Sequence, residues 1–257
     1  MPRPAPRTLE VGVKSVALDR NSHQVGDAAG RSDAAGRSEV AERTEPSELM
    51  VRIRAVPAPR PMLSRDEVRR LTARQREILA QLGALFADGF EHLTMAEIAA
   101  SVGCSLRTLY GLAPSRDELV LTVVDTHLWR VGREAMAAID PDMEPLDAVR
   151  SYLSAATVAV NGTTEAYSRD LAAMPAARRR NGDHADYVVA VTRTLLDLAV
   201  ERGDIADVDT AAVARTLANL AQDYIQPDVM ATLRTSPKVA ADDVVDIILA
   251  GIPRPTP

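Results

Sequence analysis

From Leu71 onward, apolar side chains return every three to four residues over most of the chain, while strand-like two-residue alternation is hard to find. That spacing predicts an all-α protein. Leu71, Ile78, Leu82, Leu85 and Phe86 share one face of a first helix, which Gly89 is placed to end. Thr94 then caps a second helix, with Glu97 three residues later to return the bond and Leu93 able to staple onto Ile98. Gly103 supplies the positive φ that closes this helix after Val102. Ser105 caps a very short third helix through Tyr110, Pro114 interrupts it, and Ser115 with Glu118 opens a long helix whose stripe runs from Leu119 toward Ile139.

Further helices follow. Leu146, Val149, Leu153 and Ala156 share a face from Pro145 to about Val160, and a short segment covers Asp170 to Met174. A longer helix from about Ala185 to Glu201 carries Val188, Val191, Leu195, Leu198 and Ala199 and stops at Gly203. Asp207 or Asp209 begins a helix with Val213, Leu217, Leu220 and Tyr224 on one side, and Asp242 to Leu249 forms a last one through Val245, Ile248 and Leu249. These two final stripes suit either a subunit interface or an intrachain core.

Residues 1–64 show no such periodicity and are broken by Pro, Gly and Ser, with a loose repeat from Gly26 to Ser38. A segment of this kind cannot bury enough surface to offset its ordering entropy, so disorder is expected. Arg52, Arg54 and Arg60 could make it a basic arm; a dispensable tail is the plainer reading, with a native start near Met62 as one explanation.

Composition narrows the function classes. Cys104 is the single cysteine, which excludes a disulfide framework and a thiolate metal site within the chain. His23, His92, His127 and His184 form no metal-spaced pair, and neither a glycine-rich phosphate loop nor a nucleophile elbow occurs, so no cofactor and no enzyme activity are expected. The apolar runs fall short of the roughly 18 residues of a membrane span, so a soluble cytoplasmic protein with no membrane partner is expected. Net charge is −6, but the acidic excess sits in residues 121–257, with 20 acidic against 13 basic side chains. A local basic run, Arg65, Arg69, Arg70, Arg74 and Arg76, is opposed only by Asp66, Glu67 and Glu77 and could face phosphates.

Two short capped helices joined by a glycine-containing turn make a helix-turn-helix, whose second helix enters the major groove. The ungapped stretch TMAEIAASVGCSLRTLYGLAPSRDEL, Thr94 to Leu119, resembles the DNA-binding domain of the TetR (tetracycline-repressor) family, and Ile78, Leu85, Phe86, Gly89 and Phe90 fit that family's first helix. The resemblance covers roughly residues 70 to 135. It implies a three-helix DNA-binding domain over 65–135 and a helical effector-binding and dimerisation domain over 136–257. By the same resemblance Thr94, Ser105, Thr108, Tyr110 and Arg116 contact phosphates, while Arg107 and Leu106 face bases. Thr94 and Ser105 are needed as caps in any case.

The chain departs from the family where Leu112 and Ala113 replace an aromatic pair, where Arg107 replaces a small residue, and where Leu106 replaces a polar or basic one. A less rigid domain or one repacked by Leu112, together with an altered base preference, are the expected consequences. The partners implied are double-stranded DNA carrying a palindromic operator, a second copy of the chain, and a small-molecule effector. His127, Trp129, Tyr152, Tyr167, Met174 and Tyr187 are the candidates to line its pocket, although aromatic and Met side chains at helical spacing also build plain cores. A ligand-responsive repressor is the leading expectation; a protein of this shape that has lost DNA binding and serves as a ligand- or protein-binding module is the alternative.

Overall fold

Side-chain caps set most helix starts in this protein. The computed structural model describes residues 47–158 and 164–255, and every regular element among them is a helix. In chain order they are α1 (Glu48–Arg54), α2 (Arg65–Arg70), α3 (Ala73–Phe86), α4 (Met95–Ser101), α5 (Leu106–Tyr110), α6 (Arg116–Ala137), α7 (Pro145–Thr157), α8 (Glu165–Ala173), α9 (Pro175–Arg202), α10 (Thr210–Tyr224), α11 (Pro227–Met230) and α12 (Pro237–Gly251).

Two apolar cores organise them. The first joins α3, α4, α5 and the first half of α6 through Ile78, Leu82, Phe86, Phe90, Ile98, Leu109, Leu119 and Val123. The second is assembled from α1, the end of α6, α7, α9, α10 and α12 around Tyr152, Val191, Leu195, Leu196, Leu217, Val245 and Leu249. Helix α6 feeds both cores, with Leu119 to Val124 in one and Ala135 in the other, and so carries a rigid connection between them. The expected boundary at 135/136 therefore falls in the last turn of a continuous helix.

Expected disorder across residues 1–64 needs correction where the chain is described. Ser47 caps α1, whose Leu49 and Ile53, one turn apart, are 1% and 0% exposed in the second core. The apolar run from Leu49 to Val56 is short and interrupted by Arg52 and Arg54, so it gives no readable period, but packing against α9 offers Leu49 and Ile53 burial worth about 1.5 to 3 kcal/mol each. Arg52, a candidate for a basic arm, instead pairs with Glu201 on α9 at 2.6 Å and with Glu48. The chain then runs on through Arg60, whose carbonyl accepts from Arg180, and Met62, whose N–H donates to Asp125 at 2.8 Å. The repeat from Gly26 to Ser38 lies outside the described residues.

Other boundaries differ for local reasons. The helix expected from Leu71 is α3, which opens at the capping box of Thr72 with Gln75; a separate α2, opened by the capping box of Ser64 with Glu67, precedes it, and Leu71 between them is non-helical at ψ 127°. Helix α9 begins ten residues before the expected Ala185, because Arg178 to Asp183 are polar on all sides and carry no apolar period. Thr164 starts α8 earlier than Asp170, Asp209 caps α10, and Ser236 starts α12 ahead of Asp242. Gly203 at φ +75° ends α9 as its spacing predicts.

Candidate nucleic-acid interface and ligand cavity

Reciprocal bonds fix the start of α4. Thr94 Oγ1 accepts from the Glu97 N–H, while the Glu97 carboxylate accepts from the Thr94 N–H at 2.8 Å and from its hydroxyl at 2.7 Å. Those bonds from Thr94, side chain first and backbone second, hold the Glu97 carboxyl below its usual range. Gly103 turns the chain at φ +58°, and the Cys104 N–H closes the turn on the Ala99 carbonyl at 2.9 Å. Arg74 at the head of α3 donates to the Val102 and Gly103 carbonyls, both at 3.2 Å, and ties α3 to this turn.

Ser105 caps α5 by accepting from the Thr108 N–H at 3.1 Å, and its hydroxyl lies 2.9 Å from that of Thr108. A single buried side chain, Leu109, anchors α5. With Leu109 turned inward, Leu106, Arg107 and Tyr110 turn outward: Leu106 is 44% exposed, Tyr110 54%, and Arg107 is exposed with no ion pair among the described residues. Leu112 packs, partly buried, on the first core, of which buried Ala113 is a member.

Arg116 stands apart from the other candidates. Its guanidinium donates to the carbonyls of Leu93 (2.6 Å), Phe90 and Glu91 (2.9 Å) and pairs with Asp117 at 2.9 Å. These bonds clamp the loop between α3 and α4, whose carbonyls have no helical partners, and engage all three guanidinium nitrogens of Arg116 within the chain.

A cavity of about 280 Å³ opens among α6, α7, α8, α9 and α10. Four of the six candidates line it: His127, Tyr152, Tyr167 and Tyr187. Trp129 and Met174 do not. Trp129 sits edge-on against His184, ring centroids 5.5 Å apart, and Met174, at the junction of α8 and α9, packs toward the first core. The polar residues Arg178, Asn181, His184 and Gln222 also line the cavity; the first three lie on a polar stretch and Gln222 on the polar side of an amphipathic one, and neither gives a sign of a pocket. Tyr152 is fully buried and its hydroxyl has no hydrogen-bond partner among the described residues; burial, then the neighbouring Tyr187, pushes that phenol well above its ordinary value. Burial, reinforced by Arg130, pushes the His127 imidazole down and favours its neutral form.

Helix α8 links this cavity to the helix-turn-helix. Tyr167, Ser168 and Leu171 line the cavity, and the Tyr167 ring meets Phe90 edge-on at 5.9 Å. Asp170 on the same helix, 2% exposed, accepts from the Phe90 N–H at 2.6 Å and the Glu91 N–H at 2.8 Å. Burial raises its carboxyl, but the amides of Glu91 and Phe90 together with Arg169 outweigh burial and leave it below the ordinary value. Thr164 Oγ1 adds a bond to the Ala87 carbonyl at 2.6 Å. Gly89, at φ +97°, passes so close to α8 that a Cβ there would stand 3.0 Å from that of Ala166.

No cluster of three or more His, Cys, Asp or Glu among the described residues is placed to hold a metal ion, and no helix there is long and apolar enough to cross a membrane. Neither a protein-family model nor a curated protein matches the chain by sequence. Solved structures do match by fold. A TetR transcription regulator from Haloarcula marismortui superposes with a TM-score of 0.58 at 19% identity, covering 71% of this chain and 99% of that one. The reduced form of NemR from E. coli gives 0.56 at 16% identity, with 71% and 100% covered. The TetR-family regulator PfmR from Thermus thermophilus gives 0.52 at 19% identity, with 69% and 99% covered. The chain has a TetR-like, all-α fold.

Proposed function

We propose that this chain is a sequence-specific DNA-binding transcriptional regulator, a homodimer that a small molecule releases from a palindromic operator. The observation that carries the reading is α5, held by Leu109 alone and turning Leu106, Arg107 and Tyr110 outward. A helix presented in this way can enter the major groove with Arg107 in reach of a guanine edge and Leu106 against a thymine methyl. Thr94, Ser105 and Thr108 contribute phosphate contacts at the starts of α4 and α5, and Tyr110 adds its hydroxyl. Arg65, Arg69 and Arg70 on exposed α2, next to the end of α3 that Arg74 ties to the turn, extend this positive surface.

One short helix reads few base pairs, so useful specificity requires two copies about 34 Å apart. Leu217, Val245 and Leu249 are buried within the chain, which leaves Val239 and Ile247 of α12, 44% and 69% exposed, as apolar anchors for the second copy. Regulation follows α8: a ligand that displaces its cavity face moves Asp170 and with it the amides of Phe90 and Glu91, changing the spacing of the two α5 helices. Fold likeness to TetR-family regulators supports this reading at the level of architecture.

The test is retardation of DNA from immediately upstream of the chain's own gene against a scrambled competitor, with sedimentation at micromolar concentration. A selective shift by a dimer is expected; a folded monomer, or equal retardation of both DNAs, overturns the proposal. Apolar Leu106 at the exposed front of α5 favours the second reading, a ligand- or protein-binding module without an operator, and that reading gains if neither DNA is retarded.

A further inference from the structure

We infer that the cavity takes an apolar, uncharged molecule of about a dozen non-hydrogen atoms whose single carbonyl oxygen accepts a hydrogen bond from the Tyr152 hydroxyl. The inference deepens the reading of the cavity as an effector site and rests on it. Size comes first. At about 280 Å³ the space is nearly twice the roughly 150 Å³ of an apolar protein cavity that admits benzene.

Polarity comes next. Leu128, Val131, Leu153, Leu171, Val188 and Leu217 give most of the wall an apolar surface. No Asp or Glu is among the described lining residues, so a cationic ligand would be desolvated without a counter-charge. The buried carboxylate of Asp125 already accepts from the Met62 N–H and lies 3.5 Å from Arg180 and 3.6 Å from His184. Arg178, the one Arg or Lys among the described lining residues, is exposed and reaches back to the Ala172 carbonyl, so it offers no buried partner to an anion either.

Of the polar side chains in that wall, Tyr152 and His184 carry a buried atom without a hydrogen-bond partner among the described residues, and His184 Nε2 is turned toward Asp125 at 3.6 Å, which leaves the Tyr152 hydroxyl for a ligand. The Tyr152 ring is fully buried, its hydroxyl finds no acceptor among the described residues, and burial keeps the phenol protonated and therefore a donor. A buried donor without an acceptor is destabilising, and a site built around one discriminates strongly in favour of ligands that supply the missing atom. A ketone, lactone or quinone oxygen does so without bringing a charge into the cavity.

The experiment is titration calorimetry of the full chain at neutral pH with three probes of matched size: 4-phenylbutan-2-one, n-butylbenzene and 4-phenylbutylamine. The ketone is expected to bind about tenfold more tightly than the hydrocarbon, and the amine more weakly than either. Tyr152→Phe, which keeps the ring, is expected to erase the preference for the ketone while leaving affinity for butylbenzene unchanged, which also shows that the variant is folded. Equal affinity of ketone and hydrocarbon in the unaltered chain overturns the inference whatever the variant does. So does a ketone preference that survives Tyr152→Phe, the amine binding best, or no binding of any of the three. DNA retardation on the same preparation reports separately on the regulator reading, so a chain that binds the ketone but no DNA, or DNA but no ketone, identifies which of the two failed.

Discussion

The two apolar cores use the same aliphatic side chains, yet their helices depend to different degrees on local caps. In the first core α3, α4, α5 and α6 begin at side-chain caps, Thr72, Thr94, Ser105 and Ser115, and the turn inside the helix-turn-helix rests on one positive-φ glycine. In the second, α7 and α9 begin at Pro145 and Pro175 with no capping side chain, and α1, although capped by Ser47 as α10 and α12 are by Asp209 and Ser236, is held by Leu49 and Ile53 lodged against distant helices. Local chemistry defines the surface proposed to meet DNA; long-range packing defines the cavity proposed to meet a ligand. Short helices need this local help, since each is too brief to be stable alone.

Removing α1 should break the comparison most severely. A chain beginning at Met62 loses the burial of Leu49 and Ile53, and urea unfolding should show a loss of about 3 to 6 kcal/mol, at about 1.5 to 3 kcal/mol for each side chain. An unchanged midpoint would make α1 an ornament of the second core and not part of it.

Next is the link between the regions. Asp170→Ala leaves the Phe90 and Glu91 amides without their charged acceptor and should cost about 1.5 to 3 kcal/mol of stability. Its pH dependence has a defined sign: with the folded-state carboxyl below its unfolded value, the stabilisation is fully present above the unfolded value and disappears as pH falls through the folded one. Acid unfolding curves of Asp170→Ala and the unaltered chain should therefore converge at low pH, and parallel curves would remove Asp170 from the account. If α8 carries the ligand signal, Asp170→Ala should also weaken ligand-driven release of DNA.

Within the first core, function and stability should separate. Arg107→Ala is expected to weaken operator binding by about 1 to 3 kcal/mol and relax preference at one base pair per half-site, with thermal stability unchanged. Thr94→Ala, at the cap of α4, should lower stability by about 1 kcal/mol. A stability loss for Arg107→Ala, or none for Thr94→Ala, would erase the proposed division between outward readers and structural caps.

The legibility of the chain follows the same division. Thr94 with Glu97, Gly103, Ser105 and Ser115 are readable because each acts on backbone groups within about four residues. Family resemblance makes Arg116 a phosphate contact, and no local pattern reveals that the carbonyls of Phe90, Glu91 and Leu93, far back along the chain, already occupy its guanidinium. Tyr152 and Tyr187 can be named as aromatic candidates; that they share a cavity with His184 while Trp129 does not line it depends on how α6, α7 and α9 cross.

What the amino-acid order alone determined is the all-helical class, the position of the helix-turn-helix and the identity of its caps, since hydrophobic period and capping operate over one or two turns of backbone. Tertiary structure decided that Leu49 and Ile53 belong to a core, that Asp170 grips the loop of another helix pair, and that a buried hydroxyl stands in a cavity wall with no acceptor among the described residues. Each of these depends on groups brought together from distant parts of the chain, and their meeting is governed by the packing of whole helices, to which a short stretch of sequence is blind.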